Sequence, residues 1–100
     1  MRLNPQQIDI IGRTLRHFFG EQSRILLFGS RVRDDARGGD IDLYIEPELD
    51  DPDQIVEARL NALVQLRRLL GDQKIDLVIK RRQAVVLPIH EIAKQTGVSL

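Results

Sequence analysis

The hydrophobic pattern of the chain changes between the period of a helix and the period of a strand. Apolar residues recur every three or four positions in three segments, which predicts amphipathic helices at 5–19, 52–70 and 88–95. Shorter apolar or alternating segments predict strands at 24–28, 41–45 and 74–79. Amphipathic helices that alternate with such strands indicate the α/β (α+β) class, in which the helices pack on a sheet.

The two longer helices share one start signal and one stop signal. Each start combines a capping side chain, a proline in the first turn and a glutamine three residues after the cap. These residues are Asn4, Pro5 and Gln7 in the first helix and Asp51, Pro52 and Gln54 in the second. A glycine then ends each helix, at Gly20 and at Gly71.

The second long helix carries a leucine-rich stripe. The predicted stripe is Val56, Leu60, Leu63, Leu66 and Leu70, widened by Ile55, Ala62 and Leu69. A small domain needs this apolar area for its own core, so packing on the sheet is the first interpretation and pairing with another chain the second.

Two carboxylates, Asp40 and Asp42, open the strand at 41–45. Because side chains alternate along a strand, both are expected on one face, with Cα atoms about 7 Å apart. Like charges this close are costly unless a cation or a proton neutralises them. A third aspartate, Asp76, interrupts an otherwise apolar strand, where aspartate is rare unless it is paired or bound to a metal.

These three acids predict a metal site if their strands are neighbours with the same faces aligned. Asp40, Asp42 and Asp76 would then converge, and two Mg²⁺ ions would neutralise them while offering open positions to phosphate oxygens. All three are therefore candidate metal ligands and catalytic residues. Asp76 would either ligate a metal or accept the proton of an attacking hydroxyl, and both roles stay open.

The turn after the first strand completes the predicted site. Gly29 lets backbone approach a phosphate closely, and Ser30 with the adjacent N–H groups can donate hydrogen bonds to its oxygens. Arg31 can stabilise charge on a triphosphate, and Arg33 and Arg37 of the same polar loop are alternatives for that role.

Composition narrows the class of protein. A chain of 100 residues predicts one domain with one modest core, and its fifteen basic and fifteen acidic residues disfavour nucleic acid as the main partner. With no cysteine, no leader segment and no long apolar stretch, we expect a cytoplasmic protein that does not enter a membrane. His17 and His90 lack a second ligand at metal-binding spacing and are predicted to be structural or exposed.

The site residues carry a resemblance to a known family. Gly29-Ser30, nine intervening residues, Asp40-Ile41-Asp42-Leu43 and a later strand with Asp76 resemble the nucleotidyltransferase superfamily of DNA polymerase beta and kanamycin nucleotidyltransferase. The short chain and the run Phe28-Gly29-Ser30-Arg31 look like its minimal branch, the MNT domains. The resemblance implies a mixed sheet flanked by helices, Asp40, Asp42 and Asp76 at the metals, and Gly29 and Ser30 at the phosphates.

The same resemblance implies a biological role. Minimal nucleotidyltransferases are often paired with a HEPN-domain toxin, and act as the antitoxin by transferring AMP from ATP to a tyrosine of that toxin. The expected partners are therefore ATP, Mg²⁺ and a HEPN-domain protein. A chain with no second domain to complete an acceptor pocket fits an acceptor that arrives on another protein.

Three other interpretations remain at this point. The chain can be an antitoxin that neutralises its partner by binding alone, with an inactive acidic site. It can modify a small molecule of the aminoglycoside kind, although it has no additional acceptor domain. It can also be a structural domain without a ligand. Both homo- and hetero-oligomers are compatible with the sequence.

Overall fold

Three helices and a four-stranded sheet form the fold. The computed structural model describes residues 3–29, 40–71 and 73–100. Its elements, in chain order, are α1 (Pro5–Phe19), β1 (Arg24–Phe28), β2 (Ile41–Glu46), α2 (Pro52–Leu70), β3 (Ile75–Ile79), α3 (Pro88–Thr96) and β4 (Val98–Ser99). The sequence predicts six of these seven elements. It misses β4, which has only two residues and therefore no readable period.

The sheet has the strand order β3-β2-β1-β4 and is mixed. Strand β1 is antiparallel to both β2 and β4, whereas β2 and β3 are parallel and α2 connects them. A parallel pair needs such a crossover, because the chain must return to the same end of the sheet. The small α+β domain with a mixed sheet and flanking helices is thus confirmed.

The two faces of the sheet bury different residues. The odd-numbered strand positions face the main core, where they pack with α1 and α2: Ile25, Leu27, Ile41, Leu43, Ile45, Ile75 and Leu77. The even-numbered positions form a smaller cluster with Ala93 of α3: Leu26, Phe28 and Tyr44, with Val78 beside them. Strand β1 is buried on both faces, as its uninterrupted apolar run predicts.

The predicted helix starts are present. In α1 the Asn4 side chain accepts a hydrogen bond from the Gln7 N–H at 2.8 Å, and the Gln7 side chain accepts one from the Asn4 N–H at 3.0 Å. In α2 the Asp51 carboxylate accepts a hydrogen bond from the Gln54 N–H at 3.0 Å. These contacts satisfy backbone donors that have no partner within the first turn of a helix.

The predicted stripe on α2 is wrong in part. The buried residues of this helix are Ile55, Ala58, Ala62 and Leu66, whereas Val56, Leu60 and Leu69 are exposed. Both series have helical spacing, so periodicity alone cannot choose between them. Close approach of α2 to α1 and the sheet selects the series that contains the two small alanines.

One histidine has a structural role and the other is exposed, as the sequence predicts. His90 is buried, and its Nδ1 accepts a hydrogen bond from the Leu87 N–H at 3.0 Å at the start of α3. His17 is exposed and contacts the edge of the neighbouring Phe18 ring. None of the helices in the described ranges is both long and apolar enough to span a bilayer.

Candidate functional site

The pairing of β2 with β3 brings two acids together. Asp42 lies directly opposite Asp76 in the parallel register, so both side chains point from the same face of adjacent strands. The negative charge of Asp76 repels that of Asp42, which raises the pKa of Asp42. A proton or a cation can relieve this repulsion. Residues 34 positions apart in sequence therefore form one acidic pair.

Gly29 directly follows β1 and lies against Asp42. Its φ angle is +75°, in the left-handed region that favours glycine. A Cβ atom at this position would overlap the Asp42 carboxylate, because the preceding Phe28 pairs with Asp42 across the sheet. Gly29 is thus required twice, for the backbone conformation and for the close approach of the acid.

Asp40 and Lys74 lie beside the pair. Asp40 immediately precedes β2, and its carboxylate is 3.6 Å from the Lys74 ammonium in a partly exposed ion pair. Lys74 was not among the predicted site residues. The sequence signal for Lys74 is its position two residues before Asp76. If the extended strand already begins at residue 74, both side chains lie on the same face.

The electrostatics of the site favour a proton on Asp42. Burial raises the pKa of Asp42 above its ordinary value, and the negative charges of Asp76 and Asp40 and the hydrogen bond to Asp76 raise it further. The Lys74 ammonium lowers the same pKa and offsets only part of the increase. The site has an excess of negative charge, which a proton or a cation can neutralise.

The donor chemistry of the site fits Mg²⁺, which prefers carboxylate oxygens. Asp42 and Asp76 supply such oxygens from adjacent strands. Within the ranges 3–29, 40–71 and 73–100, however, no three His, Cys, Asp or Glu side chains are grouped closely enough to hold a metal ion. The three-carboxylate set that includes Asp40 stays a prediction, since the Asp40 carboxylate forms an ion pair with Lys74.

The remaining predicted phosphate contacts fall outside the described residues. Ser30 and Arg31 belong to the segment 30–39, as do the alternatives Arg33 and Arg37. Of the predicted phosphate-binding turn, the structure therefore describes only Gly29.

The other end of the same sheet face is built around Tyr44. Its hydroxyl donates a hydrogen bond to the Glu46 carboxylate at 2.6 Å, and burial together with this bond raises the pKa of Tyr44. Tyr44 is thus a structural residue that stays protonated. Next to Glu46 lies a cavity of about 300 Å³ with a mainly cationic lining, formed by Glu46, Lys80, Arg82, Val86 and Lys94.

The raised pKa of Asp42 predicts a pH-dependent effect of Asp42→Asn. The folded protein holds this proton more tightly than the unfolded chain, so ionisation of Asp42 costs folding free energy as the pH rises above 3.8. Without divalent cations, the variant should melt a few degrees higher than the wild type at neutral pH. The difference should vanish as the pH falls to 3.8 and below.

Thermal melts of both proteins from acidic to neutral pH measure this effect, and Asp50→Asn at an exposed position provides the control. Asparagine at position 42 can donate a hydrogen bond to Asp76, so the variant removes the charge and leaves a polar group in its place. An unchanged or lower melting temperature of Asp42→Asn at neutral pH would contradict the electrostatic account.

The described geometry thus unites Gly29, Asp42 and Asp76, with Asp40 and Lys74 beside them. No protein-family model matches the sequence of this chain, and no curated protein matches it either.

Proposed function

We propose that this protein is a Mg²⁺-dependent nucleotidyltransferase that transfers AMP from ATP to the hydroxyl group of a tyrosine on a partner protein. The partner is a HEPN-domain toxin, and the transfer makes this chain its cytoplasmic antitoxin. The observation that carries the proposal is the in-register pairing of Asp42 with Asp76 beside Gly29. The family resemblance of these residues supplies the nucleotide and the partner class.

The metal would be held by Asp42 and Asp76, with Asp40 as a further ligand. When bound, Mg²⁺ neutralises charge on the triphosphate and makes a hydroxyl group more acidic. Asp40 would have to leave its ion pair with Lys74 to join this set. That exchange would free the Lys74 ammonium to bind a phosphate oxygen.

The transfer step follows from the positions of these groups. The oxygen of the acceptor hydroxyl attacks the α-phosphorus of ATP, and its proton passes to the Asp76 carboxylate. The new bond joins this oxygen to phosphorus, while the bond from the α-phosphorus to its bridging oxygen breaks. Pyrophosphate leaves with that electron pair. Gly29, with no side chain, keeps the approach to the acids open for the phosphates.

An exposed apolar surface supports a protein acceptor. Val85, Val86 and Leu87 are at least half exposed and lead into α3, the helix that lies on the same sheet face as Asp42. Contiguous exposed apolar residues of this kind mark surfaces for protein contact. A small-molecule substrate would have no use for them.

Neutralisation by binding alone is the second candidate function. The observation that favours it is the ion pair between Asp40 and Lys74, because it removes one carboxylate from the predicted metal set. The two candidates differ in their dependence on the acidic pair, which makes them separable by substitution.

The proposal predicts a covalent AMP adduct on the partner. The purified chain is incubated with the HEPN-domain protein and Mg-ATP, and the intact mass of the partner is measured. We expect one AMP to be added by the wild type and none by Asp42→Asn, because the isosteric amide cannot supply the charge of a metal ligand. Size-exclusion chromatography should show that both proteins form the complex.

Two outcomes would reject the transferase. One is an unmodified partner in a verified complex with the wild type and Mg-ATP. The other is full protection of cells by Asp42→Asn, which would establish neutralisation by binding alone.

A second prediction concerns Gly29→Ala. The added Cβ would displace the Asp42 carboxylate, and a misplacement of about 1 Å can lower catalytic rates roughly a hundredfold. We therefore expect transfer to fall by about this factor, as measured by single-turnover labelling with radioactive ATP.

The matched control for this variant is Gly71→Ala. Gly71 also has a positive φ, +86°, but within the described part of the chain no atom beyond its two neighbours lies within 4 Å of a Cβ built there. Both alanine variants should lose about 1 kcal/mol of stability through backbone strain. Gly29→Ala should lose more, because its Cβ also overlaps the Asp42 carboxylate, and it alone should lose transfer. Equal activity of the two variants would show that contact between Gly29 and Asp42 is irrelevant to the chemistry.

A further inference from the structure

The outer face of α2 is apolar and uncovered. Val56, Leu60 and Val64 are 68%, 64% and 51% exposed. They follow one another at intervals of four residues, so they form a stripe along the side of the helix that faces away from the core residue Leu66. The prediction from the sequence assigned Val56 and Leu60 to the core. Their exposure instead leaves this stripe available for a contact outside the chain.

Charged residues of opposite sign continue the stripe at its two ends. Asp53 lies one turn before Val56, and Arg67 lies one turn after Val64. At 100° per residue, all five side chains fall within an arc of roughly 80° around the helix. In the described part of the chain, neither Asp53 nor Arg67 forms an ion pair.

The five residues are arranged symmetrically about Leu60. Val56 and Val64 lie four positions to either side of it, and Asp53 and Arg67 lie seven positions to either side. The apolar residues are the same at equal distances from the centre, whereas the charges are opposite. Such a surface is complementary to itself when the helix is turned end to end.

We propose that α2 docks antiparallel on α2 of a second copy of this chain, with the two-fold axis at Leu60. In this arrangement Leu60 meets Leu60 of the partner subunit, and Val56 meets Val64 of the partner subunit. Asp53 faces Arg67 of the partner subunit, and the symmetry repeats this ion pair at the other end. A two-fold dimer requires a self-complementary patch of this type.

The charges decide the orientation of the two helices. A parallel pair would oppose Asp53 to Asp53 and Arg67 to Arg67, which places like charges together at both ends. The antiparallel pair replaces both repulsions by attractions. An unrelated partner protein would not require the pattern to be symmetric about its centre, so a second copy is the occupant that the pattern favours.

The dimer leaves the candidate active site open. Helix α2 packs on the sheet face that carries the odd-numbered strand residues, whereas Asp42 and Asp76 project from the opposite face. Association through α2 is therefore independent of nucleotide transfer, and either proposal can fail without the other. A single helix pair is a small interface, so we expect self-association to be weak and to depend on concentration.

Sedimentation velocity across a concentration series tests the dimer. The wild type should pass from monomer to dimer as its concentration rises through the micromolar range. Leu60→Glu should stay monomeric, because it places two carboxylates at the centre of the interface. Leu69→Glu is the control, since Leu69 is also 50% exposed on α2 but lies outside the stripe.

Charge reversal tests the antiparallel arrangement. Asp53→Arg and Arg67→Asp should each weaken self-association about tenfold, because each turns two attractive pairs into repulsive ones. An equimolar mixture of the two variants should recover the dimer, because the heterodimer again opposes an arginine to an aspartate at both ends. Circular dichroism verifies that α2 remains folded in every variant.

The proposal is overturned if the wild type stays monomeric up to about 1 mM. It is also overturned if Leu60→Glu dimerises like the wild type, or if the mixed charge variants associate no better than each variant alone. Recovery in the mixture together with a monomeric Leu60→Glu establishes the antiparallel contact.

Discussion

The parallel pairing of β2 with β3 determines the candidate chemistry of this protein. It sets Asp42 opposite Asp76, where two charged carboxylates would repel each other at the distance between adjacent strands. The register is held by the opposite face, where Ile41, Leu43 and Leu77 are buried in the core. A slip by one residue would move these apolar side chains to the other face, so the core maintains the unfavourable pair.

The three helices pack on different faces of the sheet. Helices α1 and α2 cover one face and supply most of the buried apolar area, which leaves the other face free for polar groups. In the described part of the chain, α3 packs on the cluster around Tyr44 on that second face. The acidic pair thus lies on a sheet whose other face is packed by two helices.

Much of this architecture could be predicted from the sequence because the relevant signals are local. A helix start can be recognised from its capping residue, as at Asn4 and Asp51. An unusual site can be recognised from an acid within an apolar strand, as at Asp76. The buried series of α2 could not be predicted, since two helical series compete and only the approach of α1 and the sheet decides between them. The role of Lys74 could be predicted only in part, because its position two residues before Asp76 indicates a shared face, whereas its ion pair with Asp40 depends on the order of the strands.

The central claim is that Asp42 and Asp76 form one acidic pair and that the proposed Mg²⁺ would bind there in place of a proton. Carboxyl ¹³C NMR of the wild type, titrated with pH in the absence and in the presence of Mg²⁺, measures this exchange most directly. The account predicts that the pKa of Asp42 lies above its ordinary value without Mg²⁺, because burial and the negative charges of Asp76 and Asp40 disfavour its ionised form, and that Mg²⁺ lowers this pKa. An Asp42 carboxyl with an ordinary pKa that does not respond to Mg²⁺ would contradict it.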